Sequence, residues 1–392
     1  MGISSIHVRS IPTTRHTKVT TAAMLGAAIS AAILPTAVLA DVTIGVLIPT
    51  SGRASGYGQQ MQVAINMFSE KYLDLGKAGK LKLDILDTRG EVPEAINLTR
   101  KLIGSDAVAI VGPQLSAEVE VVFPLGVRGQ MPIISAMSAK PGLASANQPW
   151  SFRYALVSEH DYAPLLDVWL KQNSGIKKVV VLYDAKDAVS AFDGVTVFPD
   201  LLKPRGVEVI EKISFQGGDI DFSAQVTRAR GLGADGIVLS AFYNDAAQVA
   251  KELRKQGMKQ PIVANVGVNH PRFVESGGAA VEGVMTASDF HADNPEPAVA
   301  AWVAEFKKRF KEEPGNGAAL MYDTLVLTQD CIVRQGITGA NVAADRVKMR
   351  DCWLNMKDRE APLMGKTSID KGEAVRLPVI LQVKGDKFTI VK

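Results

Sequence analysis

The residues able to do chemistry in this chain are sparse. Beyond residue 40 the histidines are His160, His270 and His291, none paired at metal-ligand spacing and none beside a cysteine, which argues against a structural zinc site. No G-x-S-x-G turn occurs, and Ser116 and Ser138 have no histidine in the surrounding segments to activate a hydroxyl. The loop IPTSGRASGYGQQM, residues 48–61, has the Gly and Ser content of a phosphate cradle. Its Gly58, however, is followed by Gln59 and Gln60 rather than by Lys and a hydroxyl residue, and no G-x-G-x-x-G is present there. Asp87 and Asp184 end strand-like runs, where a carboxylate is expected to cap the next turn, and His270, just before Pro271, reads as a surface residue at a helix start. What remains is binding chemistry. Ser116 stands where a strand turns into a helix, so its hydroxyl either caps that helix or shares the exposed amides with a ligand carboxylate, two compatible roles. Tyr57, Phe192, Phe242 and Tyr243 add aromatic faces at loop positions, as in a ring-lined or apolar pocket.

The elements that must position these residues alternate strictly. VTIGVLIP, LKLDILD, AVAIVG and MPIISA are strand-like runs separated by helical patterns. The first helix has Met61, Ile65, Phe68 and Tyr72 on one face, and the second opens with Pro93 in its first turn. Apolar runs without polar alternation are strands buried on both faces, which calls for a parallel sheet covered by helices. After FRYALVSEHDYA the pattern restarts with KKVVVLYD, GVEVIEKISF, DGIVLSAF, PIVANV and EGVMTAS. Three long helical patterns and a closing hairpin, LPVILQVKGDKFTIV with Gly385-Asp386 at its turn, follow. The expected fold is α/β, two doubly wound parallel-sheet lobes. Ligands of such sheets bind beyond the carboxyl ends of the strands, at the point where strand order reverses. That rule gathers PTSGRASGYG, DTRGE, GPQLSAE and SAMSAKPG from the first lobe against YDAKDAVSAFDG, AFYND and NVGVNHP from the second.

The first forty residues carry Arg9, Arg15 and Lys18 and no acid, then an Ala-rich apolar run, then Val38-Leu39-Ala40. This is the order of a cleavable secretory signal, and Pro35 speaks against a membrane helix. The expected product is a periplasmic protein beginning near Asp41. Because both cysteines lie far downstream, none follows the run to carry a lipid. Removing the leader's bases from a formal charge of +3 leaves a neutral chain, which disfavours nucleic acid or an anionic membrane as the main partner. Cys331 and Cys352 fall on neighbouring predicted helices, where an oxidising compartment permits a disulfide, two buried thiols being the alternative.

The succession IGVLIPTSG and GYG, DTRGEVPEA, AIVGPQLSAE, MPIISAMSAKPGLA and FRYAL resembles the periplasmic solute-binding proteins of the leucine/isoleucine/valine-binding type, receptors of branched-chain amino acid ABC importers. The resemblance spans the chain from Asp41. It implies a type I periplasmic binding fold without a cofactor, mainly monomeric, that closes on a small ligand and meets a membrane permease. It also implies a three-crossing hinge, with lobe 1 formed by 41–156 and 288–377 and lobe 2 by 157–287 and 378–392. A ligand carboxylate would sit at Ser116 and at Met137, Ser138 and Ala139, beside Gln114 and Leu115, with Arg89 as a further anion contact. Tyr57 would pack over the ligand, Ser55 and Gly56 would allow close backbone approach, and Phe192 and Phe242 would face them. The chain departs from the family pattern in a directed way. Ala139 replaces a hydroxyl residue, Val266 replaces the acid that holds an α-ammonium, and tyrosine positions have become phenylalanine, with Asn265 and Asn269 as alternative polar contacts near Val266. A buried ammonium without an acceptor costs several kcal/mol. The expected ligand is therefore a carboxylate with an apolar or aromatic body, an aromatic or oxo acid. A branched-chain or aromatic amino acid is the alternative, and a ligand-sensing module is the alternative role.

Overall fold

β1 (Val42–Ile48) is buried at all seven positions, as its unbroken apolar sequence requires of a strand covered on both faces. The computed structural model that contains it describes residues 41–76 and 79–391, and the expected leader, residues 1–40, lies outside that range. From β1 the chain alternates through α1 (Ser55–Tyr72), β2 (Leu81–Asp87), α2 (Val92–Ile103), β3 (Ala107–Val111), α3 (Ser116–Gly129), β4 (Ile133–Ser135) and β5 (Ser151–Arg153). A second alternation follows: α4 (Ser158–Gln172), β6 (Lys178–Asp184), α5 (Ala188–Phe192), α6 (Phe198–Leu202), β7 (Glu208–Phe215), α7 (Ser223–Gly231), β8 (Gly236–Ser240), α8 (Tyr243–Lys255), β9 (Ile262–Ala264), α9 (Pro271–Gly277) and β10 (Met285–Ser288). The chain ends with α10 (Pro297–Phe310), α11 (Asn316–Gln335), α12 (Val342–Leu354), β11 (Arg359–Ala361), β12 (Gly365–Asp370), β13 (Glu373–Val375), β14 (Val379–Lys384) and β15 (Lys387–Ile390).

The strands form two mostly parallel sheets flanked by helices, one lobe around each, as expected. The first has the order β11-β12-β13-β5-β4-β3-β1-β2 and the second β15-β14-β10-β9-β8-β6-β7. β3 and β8 are buried throughout, whereas the outer strands β2 and β7 mix buried and exposed positions, matching the charges in LKLDILD and EVIEKISF. Order reverses beside β1 in the first sheet and beside β6 in the second, so the loops after β1, β3, β6 and β8 open on the crevices where ligands of such sheets bind. The chain passes between sheets after β5, after β10 and after β13. The closing hairpin turns at Gly385-Asp386, with Gly385 at φ 64°. β5 and the antiparallel trio β11 to β13 have no counterpart in the sequence reading. Strands of three residues and a polar GKTSID carry too little periodicity to stand out.

Cys331 on α11 and Cys352 on α12 are joined in a disulfide with Cα atoms 5.8 Å apart, closing a loop of 21 residues in sequence separation. Restricting the unfolded chain by a loop of this length stabilises by about 3 kcal/mol. A Cys331→Ser, Cys352→Ser protein is expected to lose about that much in denaturant unfolding, and strong reductant should produce the same loss in the parent but none in the variant.

Candidate functional site

On the first lobe the site is built by the turns that leave β1, β3 and β4. Gly112 ends β3 with φ +118°, and a Cβ there would lie 2.3 Å from the Leu47 carbonyl, so only glycine lets the chain leave the sheet at this point. The turn delivers Gln114, whose amide donates to Leu47 O at 3.0 Å and accepts from Ala136 N at 3.1 Å, locking the ends of β1 and β4 together. Ser116 then opens α3. Its Oγ accepts from Lys140 N at 3.3 Å and lies 3.0 Å from Ser138 Oγ, both serines being buried. Whichever hydroxyl donates across that pair, the other keeps its hydrogen for a ligand. Both serines lie beside the start of α3, and a helix N-terminus favours an anion. Burial pushes the carboxyl of Glu118, in the first turn of α3, up to about 7, which lessens its negative charge there.

Across from these hydroxyls, Tyr57 comes from the first turn of α1 and donates its O–H to Gly267 O of the second lobe at 2.8 Å. Its ring lies 5.9 Å from Phe242, 5.3 Å from Tyr243 and 5.4 Å from His270, the last two edge-on. His270 is 1% exposed and stacks on Tyr243 with centroids 4.3 Å apart, which corrects the expectation of a surface histidine. It caps α9 by accepting from Arg272 N, and burial first, then the Arg272 charge, lowers its pKa to about 4, so it is neutral at pH 7.

These parts line a cavity between the lobes. Of the residues singled out from sequence, Tyr57, Gln114, Leu115, Ser116, Met137, Ser138, Ala139, Phe242 and Val266 line it. Four do not. Arg89 is exposed, with φ 58°, in the turn after β2, where its amide donates to Asp87. Ser55 is half-buried away from the cavity, and the close approach at Gly56 is to the Tyr243 hydroxyl, which a Cβ would meet at 2.1 Å. Phe192 packs into the second lobe's helical cluster, and Val189, one helical turn earlier on α5, takes the wall position. Asn265 is spent on structure, accepting from Ala241 N at 3.2 Å and lying 3.4 Å from Ser190 Oγ. Asp87 and Asp184 cap turns as expected, Asp184 accepting from Lys186 N and Gly217 N, both at 2.8 Å.

The wall also holds acids that the sequence reading missed. Asp187 N-caps α5 by accepting from Ser190 N at 2.8 Å, and burial raises its pKa. Asp161 lies in the first turn of α4, and Asp289 just after β10. Asn269, named from sequence as an alternative polar contact, lines the cavity too, as do Asn316 and Gly317, and the two asparagines also border a neighbouring cavity beside His291 and Phe388. At Gly317 a Cβ would meet Met137 Sδ at 2.9 Å, so glycine lets α11 close this side. Among the described residues no cluster of His, Cys, Asp and Glu is arranged to hold a metal ion.

Residues 41–386 match the model of the periplasmic binding protein family. The chain belongs to that family. Among curated relatives, this periplasmic binding protein is 22% identical over 255 residues to a Leu/Ile/Val-binding protein homolog of Brucella melitensis, covering 64% of this chain and 67% of the relative. It is 25% identical over 260 residues to an amino acid binding protein of Pseudomonas aeruginosa, covering 64% and 68%. Among solved structures, a leucine binding protein from Thermotoga maritima superposes with a TM-score of 0.80 at 27% identity, over 90% of this chain and 98% of that one. A solute binding protein from Rhodopseudomonas palustris, in complex with 3,4-dihydroxybenzoic acid, gives 0.78 at 22% identity over 88% and 93%. The two-lobed architecture is thus the type I periplasmic binding fold, and membership implies an extracytoplasmic place of work.

Proposed function

We propose that this protein is the substrate-binding receptor of an ABC importer, exported by a cleavable leader and working as a monomer. In this reading it takes a small carboxylate with an apolar or aromatic body into the interlobe cavity. The Ser116–Ser138 hydroxyl pair at the start of α3 carries this reading. It offers a hydrogen and a helix N-terminus to an anion, while Tyr57, Leu115, Met137, Val189, Phe242 and Val266 surround the rest with apolar surface. The family and the amino acid binding names of its relatives support the importer class. An amino acid ligand is the second reading, favoured by Asp161 and Asp187, which bring carboxylates to the wall although Val266 does not.

Ligand capture by hinge closure is supported by contacts between the lobes. Arg53, in the loop before α1, pairs with Asp184, lies 3.3 Å from Asp245 and places its guanidinium 4.9 Å from the Phe242 ring centroid. Exposed ion pairs contribute up to about 1 kcal/mol each, and a cation over an aromatic ring a similar amount. Arg53→Ala is expected to bias the protein toward an open form and weaken ligand binding roughly five- to thirtyfold, chiefly through faster dissociation. Stopped-flow fluorescence would read this, and an unchanged dissociation rate would rule out a latch.

The ligand class is tested by thermal shift with benzoates, phenylpyruvate, 4-methyl-2-oxopentanoate, leucine and phenylalanine. A ligand at a hundred times its Kd adds about 2.7 kcal/mol of stability. Stabilisation by the aromatic and oxo acids supports the proposal. Stabilisation by the amino acids alone supports the second reading, and no response to any carboxylate refutes both.

A further inference from the structure

The cavity walls contain hydrogen-bond acceptors that the protein leaves without donors. Asp161 Oδ1, Asn269 Oδ1 and Asn316 Oδ1 are buried and have no hydrogen-bond partner among the described residues, and all three residues line the interlobe cavity. Both amides are held so that oxygen is the free end. Asn269 Nδ2 donates to Ala287 O, and Asn316 Nδ2 donates to Asp289 Oδ2 at 3.3 Å. Asp161 is 1% exposed. Among the described residues no cation pairs with it: Arg376 pairs with Asp289, and its charge only partly offsets burial and the charges of Asp289 and Asp193. A buried acceptor without a donor costs free energy comparable to a lost hydrogen bond, and three such acceptors around one cavity make a site that polar hydrogens would satisfy.

We infer that Asp161, Asn269 and Asn316 form a donor-accepting subsite, so that the ligand carries, besides its carboxylate, a group with several polar hydrogens, an ammonium or ring hydroxyls. The inference rests on the carboxylate reading of the same cavity and narrows it. Carboxylates whose body is purely apolar fill the walls but leave the three acceptors unmet. Acids that bear an amine or hydroxyls meet both halves of the site. Burial, then Asp289, holds the Asp161 carboxyl well above the usual carboxylate range. An ammonium ligand would favour the ionised form of Asp161 and a hydroxylated ligand would not, so proton release on binding distinguishes the two.

The test is titration calorimetry on matched pairs: benzoate against 3,4-dihydroxybenzoate, phenylpyruvate against phenylalanine, and 4-methyl-2-oxopentanoate against leucine. Each pair is run in two buffers of different ionisation enthalpy. At least one donor-bearing member is expected to bind tenfold or more tightly than its donor-free partner. Proton release with the amino acids would identify an ammonium, and its absence with the dihydroxy acid would identify hydroxyls. In Asp161→Asn that advantage should shrink by about tenfold or more, while the donor-free partner changes less than about threefold. Equal affinities within every pair, or an advantage untouched by Asp161→Asn, would overturn the subsite while leaving the carboxylate reading intact. If no carboxylate of either kind binds, the carboxylate reading fails and the subsite fails with it.

Discussion

A protein carrying Ser116→Ala and Ser138→Ala together is expected to bind its carboxylate ligand roughly ten- to a hundredfold more weakly than the parent, yet to unfold within about 1–2 kcal/mol of it. The asymmetry follows from what each hydroxyl does. Between themselves the serines make one neutral hydrogen bond of 3.0 Å, and removing both partners of such a bond is nearly neutral, the remaining cost being the acceptor lost by Lys140 N. Toward a ligand the pair offers its one remaining hydrogen to a charged group, where a hydrogen bond contributes about 1.5–3 kcal/mol. The first amides of α3 survive the double change and should retain a residue of anion affinity. Calorimetric Kd values for parent and variant, with denaturant melts of both, give the comparison. A loss of affinity below about threefold would place the carboxylate elsewhere and remove the main support for the proposed ligand class.

Much of this arrangement was legible before any coordinates. The alternation of buried apolar strands with amphipathic helices specifies two doubly wound lobes, because a strand such as AVAIV has no polar face to show to water. The rule for strand-order reversal then selects the loops after β1, β3, β6 and β8. Tyr57, Gln114 to Ser116, Met137 to Ala139, Phe242 and Val266 come from those loops and their neighbours, and they meet at one cavity.

The residues that were misplaced or missed fail for local reasons. Phe192 and Val189 share a short helix, and sequence does not say which face of five residues looks inward. Arg89 looked like an anion contact because its loop follows a strand, but that strand, β2, is at the edge of the sheet, and Arg89 is exposed outside the cavity lining. Asp161 and Asp289 lie just after the chain passes between the lobes, and Asn316 and Gly317 open α11, so their convergence does not follow from strand-end position. Val266 lines the cavity and brings no charge to it. What sequence did not reveal is that α4 and the turn before α5 bring other aspartates to the same wall. Reasoning position by position along one element cannot see a charge supplied from a different element.

Arg376→Met is expected to be the most destabilising single change discussed here, removing about 3–5 kcal/mol of folding free energy. Arg376 lies between β13 and β14, in the third segment that joins the lobes. Its ion pair with Asp289 ties that segment to the second, the side chains being 6% and 3% exposed. The first segment is tied to the same pair, because Asp289 Oδ1 accepts from Leu156 N at 3.1 Å and Arg376 Nη2 donates to Tyr154 O at 2.8 Å. The guanidinium also lies 4.6 Å from the Tyr154 ring centroid. Removing the cation leaves Asp289 buried beside Asp161, two carboxyl groups with no positive partner, whereas neutralising both members of the pair leaves no orphan charge. The double variant Arg376→Met, Asp289→Asn, which keeps an acceptor for Leu156 N, should therefore recover a substantial part of the loss. Melting temperatures would read the difference, with a fall of roughly 5–10 °C for the single change at about 2 °C per kcal/mol in a chain of this size. Equal losses in the single and double variants would mean that Arg376 acts through packing on Tyr154 rather than through charge. The pair would then not be the staple that holds the three interlobe segments in register.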